Sequence, residues 1–280
     1  MRRRSPARDG GPIMSADIRL IATDLDGTLL DENGEVSPAN ALALADAVAA
    51  GITVCIATGR SHASASRFAR ELGIGDSIAI SYNGAMVRRV AEDEPLLHVP
   101  VEAELACAIV HHCISERLHL DYFIDDRLYV THVDYWARIY LARTGDMPIP
   151  VGDLRQFDGR TPTKLLVSAD PELVTELFPR EQQRWAGKLF VTHSLPEYIE
   201  YLNPDATKGS ALHWLAEHLG IPMEQVMGIG DQLNDLPMIQ SAGVGVAMPG
   251  AADRVKQDAD YVAASAAEGV AEAIRHYIDI

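Results

Sequence analysis

The stretch Thr23-Asp24-Leu25-Asp26-Gly27-Thr28 constrains this chain more than any other. Ile18, Leu20 and Ile21 ahead of it read as a short apolar strand, and Gly27 permits a sharp exit that a residue with a Cβ resists. Asp24 and Asp26 are therefore expected where a buried strand ends and a loop begins. In open α/β sheets that carboxyl edge is where ligands bind. Two carboxylates at i and i+2 on an exit loop can converge on one small volume. Their repulsion calls for a counter-charge, and a hard divalent cation such as Mg²⁺ is the natural one. Taken alone, Asp-x-Asp-Gly reads as a solvated turn, so the rest of the chain decides.

Strand and helix patterns alternate after this loop. Leu29-Leu30 and Val36 flank Asp31-Glu32-Asn33-Gly34-Glu35, where Asn-Gly signals a hairpin flap. Ser37-Pro38 starts a helix over Ala39–Ala50 that Gly51 closes. Ile52–Ala57 reads as a strand ending in Thr58-Gly59-Arg60, Ser61–Leu72 as a helix, and Ser77–Ser81 as a third strand. This order predicts a doubly wound, parallel, Rossmann-like α/β sheet. The rhythm then changes to strand pairs punctuated by helices: Met86–Val90 with Leu96–Val101, helix Glu102–Arg117, Leu120–Ile124 with Leu128–Thr131, helix Tyr135–Arg143, strand Lys164–Ser168, helix Pro171–Phe178, then Lys188–Thr192 with Tyr198–Leu202. That reads as a separate α+β module. The first rhythm returns at Lys208, with strands over Val226–Ile229, Val244–Ala247 and Tyr261–Ala263 among helices. The expected organisation is a leader over 1–16, an α/β core over 17–84 and 204–280, and an inserted module over 85–203. The leader carries Arg2, Arg3 and Arg4 and lacks the apolar segment of a secretory signal; Met14 is a candidate start.

Asp plus Glu number 40 against 24 Lys plus Arg, for a net charge of −16. Such a surface argues against the nucleic-acid backbone, which rewards clustered cations. No apolar run approaches the ~18 residues of a membrane span. An anionic substrate would need local positive groups, since salt screens distant charges beyond about 8 Å. Cys55, Cys107 and Cys113 are scattered, with no Cys-x-x-Cys or Cys/His zinc spacing, and read as small buried thiols in a reducing compartment rather than a disulfide framework. His111-His112 diverge by about 100° on a helix and read as surface or packing residues. Tyr135, Trp136 and Tyr140 form a stripe read as core or module surface. The segments Asp126–His132 and Trp136–Arg143 are candidates to face a substrate.

The strand exits carry the chemistry. The first holds Asp24 and Asp26, the second Thr58 and Gly59, and another Asp231, Asn234 and Asp235, while Lys208 opens the helix after the insert. In a parallel sheet all four face one crevice. Acids for a metal, a hydroxyl, an amide and a cation are what a phosphoryl group requires.

With these motifs in hand, the chain resembles the haloacid dehalogenase-like (HAD) superfamily of aspartate-nucleophile phosphotransferases, in its Cof-type branch with a large α/β cap after the third core strand. Asp24-Leu25-Asp26-Gly27-Thr28, Thr58-Gly59-Arg60, Asn203 to Gly209 with Lys208 at the motif position, and Gly230-Asp231-Gln232-Leu233-Asn234-Asp235 are similar to its four motifs, and Ser81-Tyr82-Asn83-Gly84-Ala85 to the branch's entry into the cap. Gln232 departs from a position where the family often has Ser. The resemblance implies a cytoplasmic, Mg²⁺-dependent phosphomonoester hydrolase acting on small phosphorylated metabolites such as sugar phosphates, as a monomer or homodimer. Asp24 would be the nucleophile, and Asp26 the acid and base. Leu25, Thr58, Gly59, Arg60, Lys208 and Asn234 would hold phosphate or substrate. Asp24, Asp26 (through its carbonyl), Asp231 and Asp235 would serve the metal.

Two other readings stand beside it. A phosphosugar mutase would pass the phosphoryl group to a sugar hydroxyl, and extra cap cations would favour it; Arg127, Arg138 and Arg143 are few. A non-catalytic metabolite-binding module would be expected to lose Asp24 or Asp26, and both are present.

Overall fold

Apolar residues fill β1 (Leu20–Thr23), and all four positions are buried, as a strand covered on both faces requires. The computed structural model describes residues 17–75 and 77–280; the leader expected over 1–16 lies outside the described residues. Two units account for the chain: one takes it up to Cys55 together with Ala216–Ile280, and the other is Ile56–Leu215.

In the first unit β1 pairs in parallel with β12 (Val226–Gly230), β12 with β13 (Val244–Ala247), and β13 with β14 (Tyr261–Val262). The strand order is β14-β13-β12-β1-β2, and β2 (Thr53–Ala57) enters with the Thr53 N–H donating to the Arg19 carbonyl at 2.9 Å. Helix α1 (Pro38–Ala49) starts as its sequence suggests: the Ser37 hydroxyl accepts from the Asn40 N–H, and Pro38 fills the first turn. Buried Asn40 then ties α1 to α9 (Gly269–Tyr277), donating to the Ala267 carbonyl at 3.1 Å and accepting from the Ala271 N–H at 3.0 Å. The expected flap is a single bridge, Leu30 to Val36, with the Asp31 carboxylate accepting from the N–H groups of Asn33 and Glu35.

In the second unit the end of β2 continues into the order β2-β3-β4-β5, where β3 is Ile78–Ser81, β4 Met86–Arg89 and β5 Leu97–His98. β4 pairs antiparallel with β3 and with β5, so this hairpin extends the β3 sheet. A second sheet has the order β10-β11-β9-β6-β7-β8, from β6 (His119–Ile124), β7 (Arg127–Val130), β8 (Pro148–Pro150), β9 (Lys164–Ser168), β10 (Phe190–Thr192) and β11 (Tyr198–Leu202). Helix α3 (Ala103–Glu116) shares a core with this sheet through Ala106, Ile109, Val110 and Cys113 beside Leu120, Tyr122 and Leu165. Helix α4 (Tyr135–Thr144) buries Ala137 and Tyr140 in another cluster.

The sequence pattern does not show β8. Pro148 and Pro150 lack N–H donors, and β8 is accordingly an edge strand. Helix α5 (Pro171–Arg184) runs past Pro179, where the pattern suggested an end. Its far half is anchored by buried Glu181, which accepts from Trp185 Nε1 at 2.9 Å and the Tyr201 hydroxyl at 3.0 Å, and meets His112 Nε2 at 3.0 Å. No disulfide joins the three cysteines: Cys55 and Cys113 are buried, whereas Cys107, expected to be buried as well, is half-buried. Among the described residues no helix is long and apolar enough to cross a membrane.

Two histidines of the second unit give opposite pH dependences. His62, first in α2 (His62–Glu71), is buried with neither ring nitrogen hydrogen-bonded. Burial, then the Arg88 guanidinium, push its pKa from 6.5 down to about 4. His119 is opposed by burial, yet the carboxylates of Asp121 and Asp134 push its pKa up. The His62 contribution is full above pH 6.5 and is lost as pH falls toward about 4. It removes about 2 kcal/mol between pH 7.5 and 5 by linkage. The His119 contribution is full below its unfolded pKa and is lost as pH rises through its folded one. Urea unfolding across this range should show a flatter acid limb for His62→Leu. His119→Gln should lose more stability at acid pH than at alkaline pH.

Candidate active site

The parallel ladder between β1 and β12 fixes the first group of residues. Thr23 is in register with Ile229, and the Asp24 N–H extends the ladder to the Ile229 carbonyl at 2.9 Å. Asp24 and Asp231 therefore leave neighbouring strands at the same edge. With Asp235 they form a buried cluster whose ligand oxygens lie within 4.8 Å of one another. Asp235 Oδ2 accepts from the N–H groups of Asp231 and Gln232, at 2.9 Å each. Asp231 accepts from the Thr28 hydroxyl at 3.0 Å on one oxygen and from the Gln232 amide at 2.7 Å on the other. Gln232, the departure from the family pattern, thus orients a cluster carboxylate.

The loop itself is tight. The Leu25 carbonyl accepts from the N–H groups of Thr28, Leu29 and Leu30. Gly27 has φ +76°, and a Cβ there would stand 2.5 Å from Asp231 Oδ2. Only glycine combines that conformation with that approach. Leu25 and Asn234 are buried in this unit, whereas Asp26 is exposed and bridges to Leu30. An all-oxygen, multiply anionic donor set suits a hard divalent cation.

The other predicted residues belong to the second unit. Thr58 is buried, its N–H donates to the Ile80 carbonyl at 2.8 Å, and its hydroxyl accepts from the Arg60 N–H at 3.2 Å. The Arg60 side chain donates to the Arg143 carbonyl at 3.3 Å and lies over the Phe68 ring. Lys208, fully buried, opens α6 (Lys208–His218). Thr207 and Ser210 cap that helix reciprocally: each backbone N–H donates to the other's hydroxyl at 3.0 Å. Gly84, at φ +102°, lets the chain pass so close to Thr207 that a Cβ would stand 2.1 Å from its carbonyl oxygen.

Lys164 and Glu200, which lie outside every motif, hold the Thr58-Gly59 loop together with Asn83 of the cap-entry motif. Buried Lys164 donates to the Gly59 carbonyl at 2.9 Å and pairs with buried Glu200 at 3.2 Å. Asn83 donates its amide to Glu200 at 2.8 Å, and its backbone N–H to the Thr58 carbonyl at 3.0 Å. A charged residue inside each of two apolar strand patterns, Lys164–Ser168 and Tyr198–Leu202, was the available signal. Tyr140 of the aromatic stripe is core, and Tyr135 is exposed.

A family model described as haloacid dehalogenase-like hydrolase matches residues 21–274. The chain belongs to that family. Among curated relatives, the 5-amino-6-(5-phospho-D-ribitylamino)uracil phosphatase YcsE of Bacillus subtilis is 32% identical, covering 94% of this chain and 96% of its own. A second phosphatase of the same description from that organism, YitU, is 30% identical, with coverage of 93% and 98%. A crystal structure of a haloacid dehalogenase-like hydrolase from Bacteroides thetaiotaomicron superposes with a TM-score of 0.83 at 28% identity, covering 92% of this chain and 98% of that one. This HAD chain is accordingly an α/β hydrolase of the phosphatase type, similar to the Cof-type branch.

Two substitutions test the site's construction. Gly27→Ala should weaken divalent-cation binding at the Asp24 cluster at least tenfold, roughly the effect of misorienting one ligand, as read by calorimetry. Lys164→Met strands buried Glu200 and should cost about 3–5 kcal/mol, whereas adding Glu200→Leu should recover part of that loss. A double-mutant cycle in urea measures the difference.

Proposed function

We propose that this HAD protein is a Mg²⁺-dependent phosphomonoester hydrolase acting on small phosphorylated metabolites such as sugar phosphates. The observation that carries the reading is the buried Asp24, Asp231 and Asp235 cluster, joined through one short loop to exposed Asp26. Two acids in unlike surroundings can divide nucleophilic and proton-transfer roles. An Asp24 oxygen attacks phosphorus, and the ester P–O bond breaks. Asp26 protonates the leaving oxygen, which gives an alcohol and an aspartyl-phosphate on Asp24. Asp26 then takes a proton from water as that water attacks the same phosphorus, which releases phosphate and restores Asp24. Exposure of Asp26 fits a group that must meet both leaving group and water.

Asp24, the Asp26 carbonyl, Asp231 and Asp235 would hold the ion, which would supply positive charge against the phosphoryl oxygens. Lys208, the Thr58 hydroxyl, the N–H groups of Leu25 and Gly59, and Asn234 bind those oxygens, and Arg60 contacts substrate. The same reading takes 17–84 and 204–280 as the core and 85–203 as the cap. Support for that division comes from the near-contact of Gly84 with Thr207, where the chain leaves and returns. With it go a cytoplasmic location, a monomer or homodimer, and no role for nucleic acid or membrane.

A screen of phosphate esters with Mg²⁺ tests the proposal. Phosphate release should fall about 10³-fold or more in Asp24→Asn, and about 10²–10⁴-fold in Asp26→Asn. It should stop when EDTA removes the ion. Equal rates in parent and Asp24→Asn would remove the nucleophile; isomerised sugar phosphate without free phosphate would make the protein a mutase.

A further inference from the structure

A second group of ligand atoms lies in the second unit, away from every motif. Cys107 and His111 stand one turn apart on α3, so their side chains share a face. Asp158 joins them from the segment after β8, and the three ligand atoms lie within 4.8 Å of one another. His111 Nε2 and Asp158 Oδ2 are 3.6 Å apart, a spacing that two ligands of one small cation can share. Both carriers are anchored by packing. α3 is seated in the core through Ala106, Ile109, Val110 and Cys113. The Asp158 segment is pinned by buried Leu154 and by Phe157, whose ring stacks on Tyr122 at 4.9 Å. The Asp158 N–H closes the turn on the Arg155 carbonyl at 3.0 Å. The backbone that carries the ligands is thus packed in place, which lowers the ordering cost of binding.

We propose that Cys107, His111 and Asp158 form a binding site for a borderline divalent transition-metal ion, of the class of Zn²⁺ or Co²⁺. A thiolate, an imidazole and a carboxylate suit such ions and not Mg²⁺, which demands oxygen donors in a near-ideal octahedron. Two anionic ligands match the ion's double charge. Binding forms the metal–sulfur bond and releases the Cys107 thiol proton to solvent. Three protein ligands leave a position open to water or to a group from another molecule. The sequence pattern hid this set, because the four-residue Cys–His spacing acquires its third ligand only through the fold. His112 takes no part, since it turns to Glu181 on another side of the helix.

Titration of the full-length protein with Co²⁺ in excess Mg²⁺ tests the site. Mg²⁺ fills the all-oxygen cluster, and oxygen ligands give no sulfur-to-cobalt band. A near-ultraviolet thiolate-to-cobalt charge-transfer band should rise to one ion per chain and be displaced by Zn²⁺. Cys107→Ser should abolish the band, Cys113→Ser should keep it, and His111→Ala and Asp158→Asn should each raise Kd about tenfold or more, as loss of a ligand demands. No band in the parent, or a band that survives Cys107→Ser in a protein of unchanged circular dichroism, overturns the proposal.

Discussion

Mutual repulsion among Asp24, Asp231 and Asp235 is the constraint that shapes the first unit. All three are nearly excluded from water. Two unit charges ~4 Å apart repel by about 4 kcal/mol even at an effective dielectric of 20. The fold offsets part of this with directed dipoles: two backbone N–H groups on Asp235, and a hydroxyl and an amide on Asp231. These groups fix where the carboxylates point. The parallel pairing of β1 with β12 makes the arrangement possible, because it delivers two chain-distant acids to one edge.

The second unit handles buried charge differently. Lys164 and Glu200 neutralise each other within the sheet, and the lysine still reaches the Gly59 carbonyl. Such a pair returns little net stability when set against apolar residues of the same volume. Its value lies in direction: the ammonium must point at a carbonyl of the Thr58-Gly59 loop, and Asn83 bonds both Glu200 and Thr58. The loop is therefore held from two strands of the second sheet and from the turn after β3. Glu181 does the same for α5, with Trp185, Tyr201 and His112 around one carboxylate.

Much of this was legible beforehand where the deciding physics is local. Ser37-Pro38 marks the start of α1 because capping acts within one turn. Apolar runs gave β1, β12 and β13 to within a residue or two, because a strand buried on both faces has no polar alternation to confuse the reading. The Asp24 and Asp231 exits followed from those strands. What stayed hidden depends on distant partners. β8 is prolyl and shows no strand pattern until β7 supplies its pairing. The end of α5 was masked by Pro179, whose cost Glu181 offsets through residues on other elements. A charge inside an apolar strand pattern singles out Lys164 and Glu200, but only the fold shows that they pair with each other and reach the Thr58-Gly59 loop.

The Asp24-Leu25-Asp26 triplet shows how one short segment can hold two chemically different acids. Asp24 still belongs to the ladder, its N–H bonded to Ile229, and is buried beside other carboxylates. One residue later the Leu25 carbonyl gathers three N–H groups and the chain turns sharply over Gly27. Leu25 plugs into the core while Asp26 swings out to solvent. A strand would have alternated the acids onto one face and given them one environment. Breaking the strand between them separates an acid committed to a buried, cation-seeking cluster from one in contact with water. A Cβ at Gly27 would collide with Asp231, so the turn and the cluster cannot be altered independently.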